Sequence, residues 1–88
     1  MIKVIKFSAP WCGPCKTLKP IWDAAVSKNT NSEIQYSEVD ADSEPERAEE
    51  HGIRVVPTIL VLRDDKEIGR IIGFKKDIEE LILKQIES

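Results

Sequence analysis

The two cysteines of this 88-residue chain, Cys12 and Cys15, are separated by only two residues. In the first turn of a helix this spacing places their Cα atoms roughly 5 Å apart, given a rise of about 1.5 Å per residue. A disulfide spans that distance without distortion, so the pair could open and close with little backbone movement. A bare C-x-x-C also occurs as half of a zinc site or as two buried structural thiols. A predicted strand before the pair and a predicted helix after it favour redox chemistry.

The two sulfurs are not expected to be equivalent. Cys12 lies at the tip of the predicted helix, where free N–H groups and the helix dipole favour an anion, so its pKa should be lowered and it should act as the nucleophile. Cys15 lies one turn deeper, is expected to be shielded, and would resolve the mixed disulfide. Pro14 restricts the turn, and its missing N–H costs nothing there. Lys16 could also favour the Cys12 thiolate.

The elements that must position this pair follow from hydrophobic patterning. Runs of apolar and β-branched residues predict strands, and apolar residues at helical spacing predict helices. The predicted strands are residues 2–8, 33–39, 57–63 and 67–72. The predicted helices are residues 12–28, a short helix with a capping box of Ser43 and Glu46 that ends at Gly52, and a last helix that begins near Lys75. The first helix has an apolar stripe of Leu18, Ile21, Trp22, Ala25 and Val26.

The predicted order, β-α-β-α-β-β-α, defines a single α/β domain that covers residues 1–88. A helical crossover makes the first two strands parallel and right-handed. Asp64, Asp65 and Lys66 form a tight antiparallel hairpin between the last two strands. We expect a four-stranded mixed sheet with helices on both faces.

Composition argues against several functions. The formal net charge of −3 offers no basic surface, so nucleic acid is not an expected partner. Two cysteines and the lone His51 cannot complete a four-ligand zinc site, so no metal is expected. No apolar run is long enough to span a membrane, and Lys3 and Lys6 interrupt the N-terminal apolar stretch, so neither a membrane helix nor a secretory signal is expected. The expected location is the cytoplasm.

Three segments together resemble the thioredoxin family. Residues 11–16 (WCGPCK), which follow a predicted strand, resemble its active-site motif, and residues 52–58 (GIRVVPT) resemble the segment that contains its cis-proline. Residues 72–74 (IGF) resemble the glycine turn before its last helix. The resemblance covers nearly the whole chain. It implies a minimal thioredoxin fold and a thiol–disulfide oxidoreductase that donates electrons to protein disulfides.

The resemblance also implies a substrate site and partners. Pro57 should be cis and should face the cysteines, and a substrate peptide should pair with the backbone near Val56 as a short extra strand. The expected groove consists of Trp11, Gly13, Pro14, Val56, Pro57 and Gly73. No cofactor is expected beyond the redox-active disulfide of Cys12 and Cys15. The implied partners are disulfide-containing proteins and an NADPH-dependent flavoprotein reductase, with the chain itself a monomer.

The chain departs from the family pattern before the cysteines. Only eleven residues precede Cys12, whereas typical thioredoxins have an additional strand and helix there. Lys6 occupies the position of the family's buried aspartate, and Tyr36 occupies that of its lysine partner. A charged Lys6 would stabilise a thiolate and make the protein a weaker reductant. Alternatively, Lys6 extends to solvent and has no effect.

Two other functions remain open from the sequence. A glutaredoxin-like enzyme recycled by glutathione would fit the short chain, although Gly13-Pro14 and residues 73–77 (GFKKD) favour a thioredoxin. A thioredoxin-fold binding subunit of a larger complex would not need the cysteines at all. An oxidant or isomerase would require an oxidising compartment, for which the sequence has no signal.

Overall fold

A computed structural model of the chain describes residues 1–87 and contains four strands and three helices in the predicted order. The strands are β1 (Ile2–Ser8), β2 (Ile34–Asp40), β3 (Thr58–Arg63) and β4 (Lys66–Ile72). The helices are α1 (Gly13–Lys28), α2 (Pro45–Glu50) and α3 (Ile78–Glu87). The strand order in the sheet is β2-β1-β3-β4, with β1 parallel to β2 and the other two pairs antiparallel. The predicted mixed sheet is therefore confirmed.

Both faces of the sheet are covered, as the nearly continuous apolar sequence of β3 requires. Ile2 and Val4 point to the face on which Trp22 of α1 and Ile82 of α3 pack. The alternate residues of β1 point to the other face and pack with α2; the cluster there is Ile5, Phe7, Val39, Ala48, Leu60 and Leu62. Two helices thus cover one face and one short helix covers the other, which confirms the predicted layers.

Helix α1 buries one side, as its apolar spacing predicts. Its buried residues are Cys15, Leu18, Trp22 and Ala25, which repeat at intervals of three and four. Ile21 is half-buried, but Val26 is exposed, so its place in the predicted stripe is wrong. Each helical residue turns by about 100°, so the residue after buried Ala25 points away from the sheet. The active-site end of α1 is fixed because Cys15 belongs to the buried side.

The start of α2 differs from the prediction. Its N-cap is Glu44, which makes no side-chain capping hydrogen bond, so the predicted capping box at Ser43 is not formed. Asp40 competes for the same backbone: its Oδ1 accepts N–H groups from Asp42 at 2.9 Å and Ser43 at 3.3 Å. The predicted end is correct, since Gly52 follows the helix with φ of +65°.

The hairpin and the last helix are shorter than predicted. The turn consists of Asp64 and Asp65 alone, both with positive φ, and Lys66 already pairs with Arg63. Helix α3 begins at Ile78, three residues after the predicted start. Phe74 accounts for the difference, because it packs against the core from the loop and so extends the apolar spacing beyond the helix.

Candidate active site

Cys12 and Cys15 lie at the carboxyl end of β1, where the chain enters α1. Cys12 is the N-cap of α1, with an extended backbone, and Pro14 occupies the first turn. The two cysteines are joined in a disulfide, with their Cα atoms 5.2 Å apart. This separation agrees with the spacing expected from a single helical turn.

The sulfur of Cys12 lies among the free N–H groups at the tip of the helix. The Sγ of Cys12 accepts a hydrogen bond from the backbone N–H of Cys15 at 3.1 Å, and the carbonyl of Cys12 accepts one from the N–H of Lys16 at 3.3 Å. The carbonyl oxygen of Val56 is 3.6 Å from the same Sγ and would accept a hydrogen bond only from a protonated thiol. The N–H contact and the helix dipole both favour negative charge on Cys12.

Exposure does not distinguish the two cysteines. Cys15 is 5% exposed, as expected, but Cys12 is equally buried in the disulfide form, at 3% exposed. The cause is that Ala9 and Val56 pack against both cysteines from two different parts of the chain. The difference between the sulfurs therefore lies in their positions on the helix and their hydrogen bonds.

Of the predicted groove residues, Val56 packs against the cysteines, and Trp11, Gly13 and Pro14 adjoin them in the chain. The Val56–Pro57 peptide is cis, as the resemblance implied. Gly73 has φ of +84° and donates its N–H to the Pro57 carbonyl at 2.9 Å, so the two loops are joined beside the cysteines. Gly13 and Pro14 are exposed on the tip of α1. Val55 and Ile72, each next to a predicted groove residue in the chain, are also exposed apolar side chains, although the sequence analysis did not assign them to the groove.

Trp11 stands beside the disulfide and is 69% exposed. Its indole Nε1 donates a hydrogen bond to Oδ2 of Asp42 at 2.7 Å, which holds the ring in place. Sequence reasoning missed Asp42. A signal was present, because β1 and β2 are parallel and side chains that follow their carboxyl ends meet at the same edge of the sheet.

Lys6 is buried beneath the active site rather than extended into solvent. Its Nζ forms an ion pair with Oε1 of Glu38 at 2.8 Å and lies 5.4 Å from the centre of the Trp22 ring. Tyr36 instead packs edge-on against Trp22. The pKa of its hydroxyl is raised, mainly by burial and to a smaller extent by the negative charge of Glu79. Glu38 was another residue that sequence reasoning missed.

Lys6, Lys16 and Cys15 line one cavity of about 310 Å³ that is open to solvent. Lys16 itself is exposed.

His51 lies at the end of α2 and makes an edge contact with Phe7, away from the cysteines. Among residues 1–87 no group of three His, Cys, Asp or Glu side chains could hold a metal ion. None of the helices in that range has the length and apolar character needed to cross a membrane.

A disulfide that closes one turn at a helix tip, beside a cis-proline and an exposed apolar surface, defines a thiol–disulfide oxidoreductase of the C-x-x-C class. The chemistry it supports is the transfer of two electrons between this cysteine pair and another disulfide.

Comparison with known proteins gives the family. The family model described as thioredoxin matches residues 1–86. Thioredoxin from Chlamydia caviae is 37% identical over 79 residues, which cover 90% of this chain and 74% of that protein. Thioredoxin H2 from Arabidopsis thaliana is 39% identical over 74 residues, covering 84% of this chain and 54% of that protein. The crystal structure of thioredoxin NaTrxh from Nicotiana alata superposes with a TM-score of 0.87 at 39% identity, covering 96% of this chain and 72% of that one.

The chain belongs to the thioredoxin family, and it is a thiol–disulfide reductase with a thioredoxin fold.

Proposed function

We propose that the chain reduces disulfides in other proteins, with Cys12 as the nucleophile and Cys15 as the resolving residue. The observation that supports these roles is the N–H of Cys15 directed at the Cys12 sulfur from the tip of α1. In the reduced protein this arrangement would stabilise a Cys12 thiolate, which is the attacking form.

The reaction consists of two disulfide exchanges. The Cys12 thiolate attacks one sulfur of the substrate disulfide; a mixed disulfide forms, and the other substrate sulfur leaves and takes up a proton. Cys15 then loses its proton and attacks the Cys12 sulfur. The Cys12–Cys15 bond forms, the mixed disulfide breaks, and the second substrate thiol is released. Two electrons have passed from the cysteine pair to the substrate.

We propose that the substrate lies in the groove between Trp11, Val56 and Gly73, with Gly13, Pro14 and Pro57 completing its surface. An extended peptide that pairs with the backbone near Val56 would be held mainly through main-chain hydrogen bonds, so many sequences would be accepted. The exposed side chains of Trp11 and Val55 would add apolar contacts around this backbone.

We further propose that an NADPH-dependent flavoprotein reductase returns the disulfide to its dithiol form, and that the chain works as a cytoplasmic monomer. The Gly13-Pro14 pair supports this electron donor over glutathione. Both cysteines belong to the redox pair and none forms a structural cross-link, which suits a reducing compartment. Lys6 and Lys16 are proposed to influence the thiol pKa values, supported by the cavity that they share with Cys15.

A coupled assay tests this function. The protein is supplied either with NADPH and a thioredoxin reductase or with NADPH, glutathione and glutathione reductase, and reduction of a protein disulfide is followed through NADPH consumption. We expect turnover with the first system and little with the second. Cys12→Ser should abolish turnover, whereas Ser27→Ala, an exposed control on the same helix, should not. Preference for glutathione would reject the proposed donor, and activity in Cys12→Ser would reject the proposed nucleophile.

A further inference from the structure

The cavity beneath the resolving cysteine contains a pair of opposite charges. Cys15 shares its walls with Lys6 of β1 and Glu38 of β2, and three further charged residues line it, namely Lys16, Lys19 and Asp40. Lys6 and Glu38 are partners in the register of the two parallel strands. Their side chains point to the same face of the sheet and form the ion pair at 2.8 Å.

The two members of this pair differ in their access to water. The side chain of Lys6 is 3% exposed, whereas that of Glu38 is 48% exposed. A charge that faces solvent is screened more strongly than one that does not. The Lys6 ammonium should therefore act on the cavity more strongly than the Glu38 carboxylate, although the carboxylate offsets part of it.

The remaining charges on the cavity are engaged elsewhere or exposed. Lys19 pairs with Asp23 at 3.2 Å on the outer side of α1. The Oδ1 of Asp40 accepts two backbone N–H groups of the loop that follows β2. Lys16 projects from the exposed side of α1. Among the charged side chains that line this cavity, only Lys6 is thus fully buried, and its partner is Glu38.

We propose that Glu38 is a positioning residue of the redox centre, which holds the Lys6 ammonium in the Cys15 cavity and offsets its charge, so that the pair sets the protonation of Cys15. This inference rests on the proposed role of Cys15 as the resolving thiol. An unpaired ammonium at Lys6 would favour the Cys15 thiolate more strongly than the Lys6–Glu38 pair does. Glu38 therefore has a function of its own, which is to reduce the effect of the Lys6 charge.

The consequence concerns the second exchange step, in which Cys15 releases its proton and attacks the Cys12 sulfur. Removing Glu38 leaves the positive charge uncompensated and should lower the pKa of the Cys15 thiol. Removing Lys6 leaves the negative charge and should raise that pKa. Removing both should give an intermediate value, slightly above that of the intact pair, because the Lys6 charge is the less screened of the two.

The test is a four-member cycle in the Cys12→Ser background, where Cys15 is the only thiol. The proteins are the parent, Glu38→Gln, Lys6→Met and the double variant, and the Cys15 thiolate is titrated by its ultraviolet absorbance. We expect the Cys15 pKa to increase in the order Glu38→Gln, parent, double variant, Lys6→Met, with Glu38→Gln about one unit below the parent, a tenfold rise in thiolate fraction at neutral pH. Glu33→Gln, an exposed change of the same charge just before β2, should have no effect.

Opposite shifts for the two single variants support the proposal. A raised pKa in Glu38→Gln would instead identify Glu38 as a proton acceptor for Cys15 and overturn it, as would an unchanged pKa in both single variants. If Glu38→Gln alone does not fold, the double variant decides the question: a Cys15 pKa below that of Lys6→Met supports the proposal, and equal values overturn it. Failure of this proposal is distinguished from failure of the proposed function by disulfide reductase activity, measured in proteins with both cysteines intact. Turnover can persist whether or not Glu38 has this role.

Discussion

Reduction of the active-site disulfide should lower the free energy of unfolding, and by less at alkaline than at acid pH. The cross-link closes only residues 12–15, so the chain-entropy model gives a contribution of about 2 kcal/mol. In a domain of this size that corresponds to a decrease in Tm of roughly 10 °C on reduction. This part of the difference does not depend on pH.

The tip of α1 opposes this loss in the reduced protein. A Cys12 thiolate would be stabilised there by about 0.3–1 kcal/mol relative to the unfolded chain. A lowered pKa in the folded state stabilises the fold fully above the unfolded thiol value near 8.5, and the effect is lost as the pH falls through the folded value. The gap between the oxidised and reduced proteins should therefore be about 2 kcal/mol at pH 5 and closer to about 1 kcal/mol at pH 9.

Urea denaturation followed by circular dichroism measures both gaps, with a phosphine reductant for the dithiol form. The matched control replaces both cysteines by serine; this variant forms neither a cross-link nor a thiolate, so its gap to the oxidised protein should not change with pH. A gap between the oxidised and reduced proteins that stays constant or widens from pH 5 to pH 9 would refute the idea that the helix tip stabilises the thiolate.

Three further predictions concern other residues. Cys15→Ser should accumulate a mixed disulfide with a protein substrate, visible by intact-mass spectrometry without reductant, because the second exchange is blocked; absence of the adduct would contradict its resolving role. Asp42→Ala should lower kcat/KM for a protein disulfide about fivefold, from loss of one hydrogen bond to Trp11, and should leave reduction of a small disulfide reagent unchanged. Glu67→Gln should lower unfolding stability at pH 7 by less than about 1 kcal/mol, since the ion pair that Glu67 forms with Arg70 at 2.7 Å is partly exposed. Hydrogen bonds from Arg70 lower the pKa of Glu67, so this difference should disappear as the pH falls through that lowered value in acid denaturation series.

Local patterns were sufficient to predict the elements that present the cysteines. Contacts within one or two helical turns determine the separation of Cys12 and Cys15 and the buried side of α1. Such local contacts can be read directly from the sequence pattern. The mixed sheet also followed, because a helical crossover and a short turn leave few topologies. Boundaries were less reliable where a loop residue such as Phe74 joins the core and continues the apolar spacing.

The parts that could not be predicted depend on residues far apart in the sequence. The burial of Cys12 results from Val56, which only the folded chain brings against it. The partner of Lys6 depends on the register of β1 against β2, and a register shifted by two residues would have placed Tyr36 or Asp40 there instead of Glu38. Neither the register nor the depth of a side chain is visible in the local pattern.

Arg70 of β4 connects the strand that leads into Gly73 with the segment that leads into Val56. Its guanidinium, held by Glu67, donates to the carbonyls of His51 at 2.7 Å and Gly52 at 3.4 Å, just before the loop that contains Val56. The same strand leads directly into Gly73, whose N–H is bound to Pro57. The loop of Val56 and the turn of Gly73 are thus joined through β4, so we expect the proposed substrate surface to change shape little and extended or locally unfolded regions of a substrate chain to be reduced first.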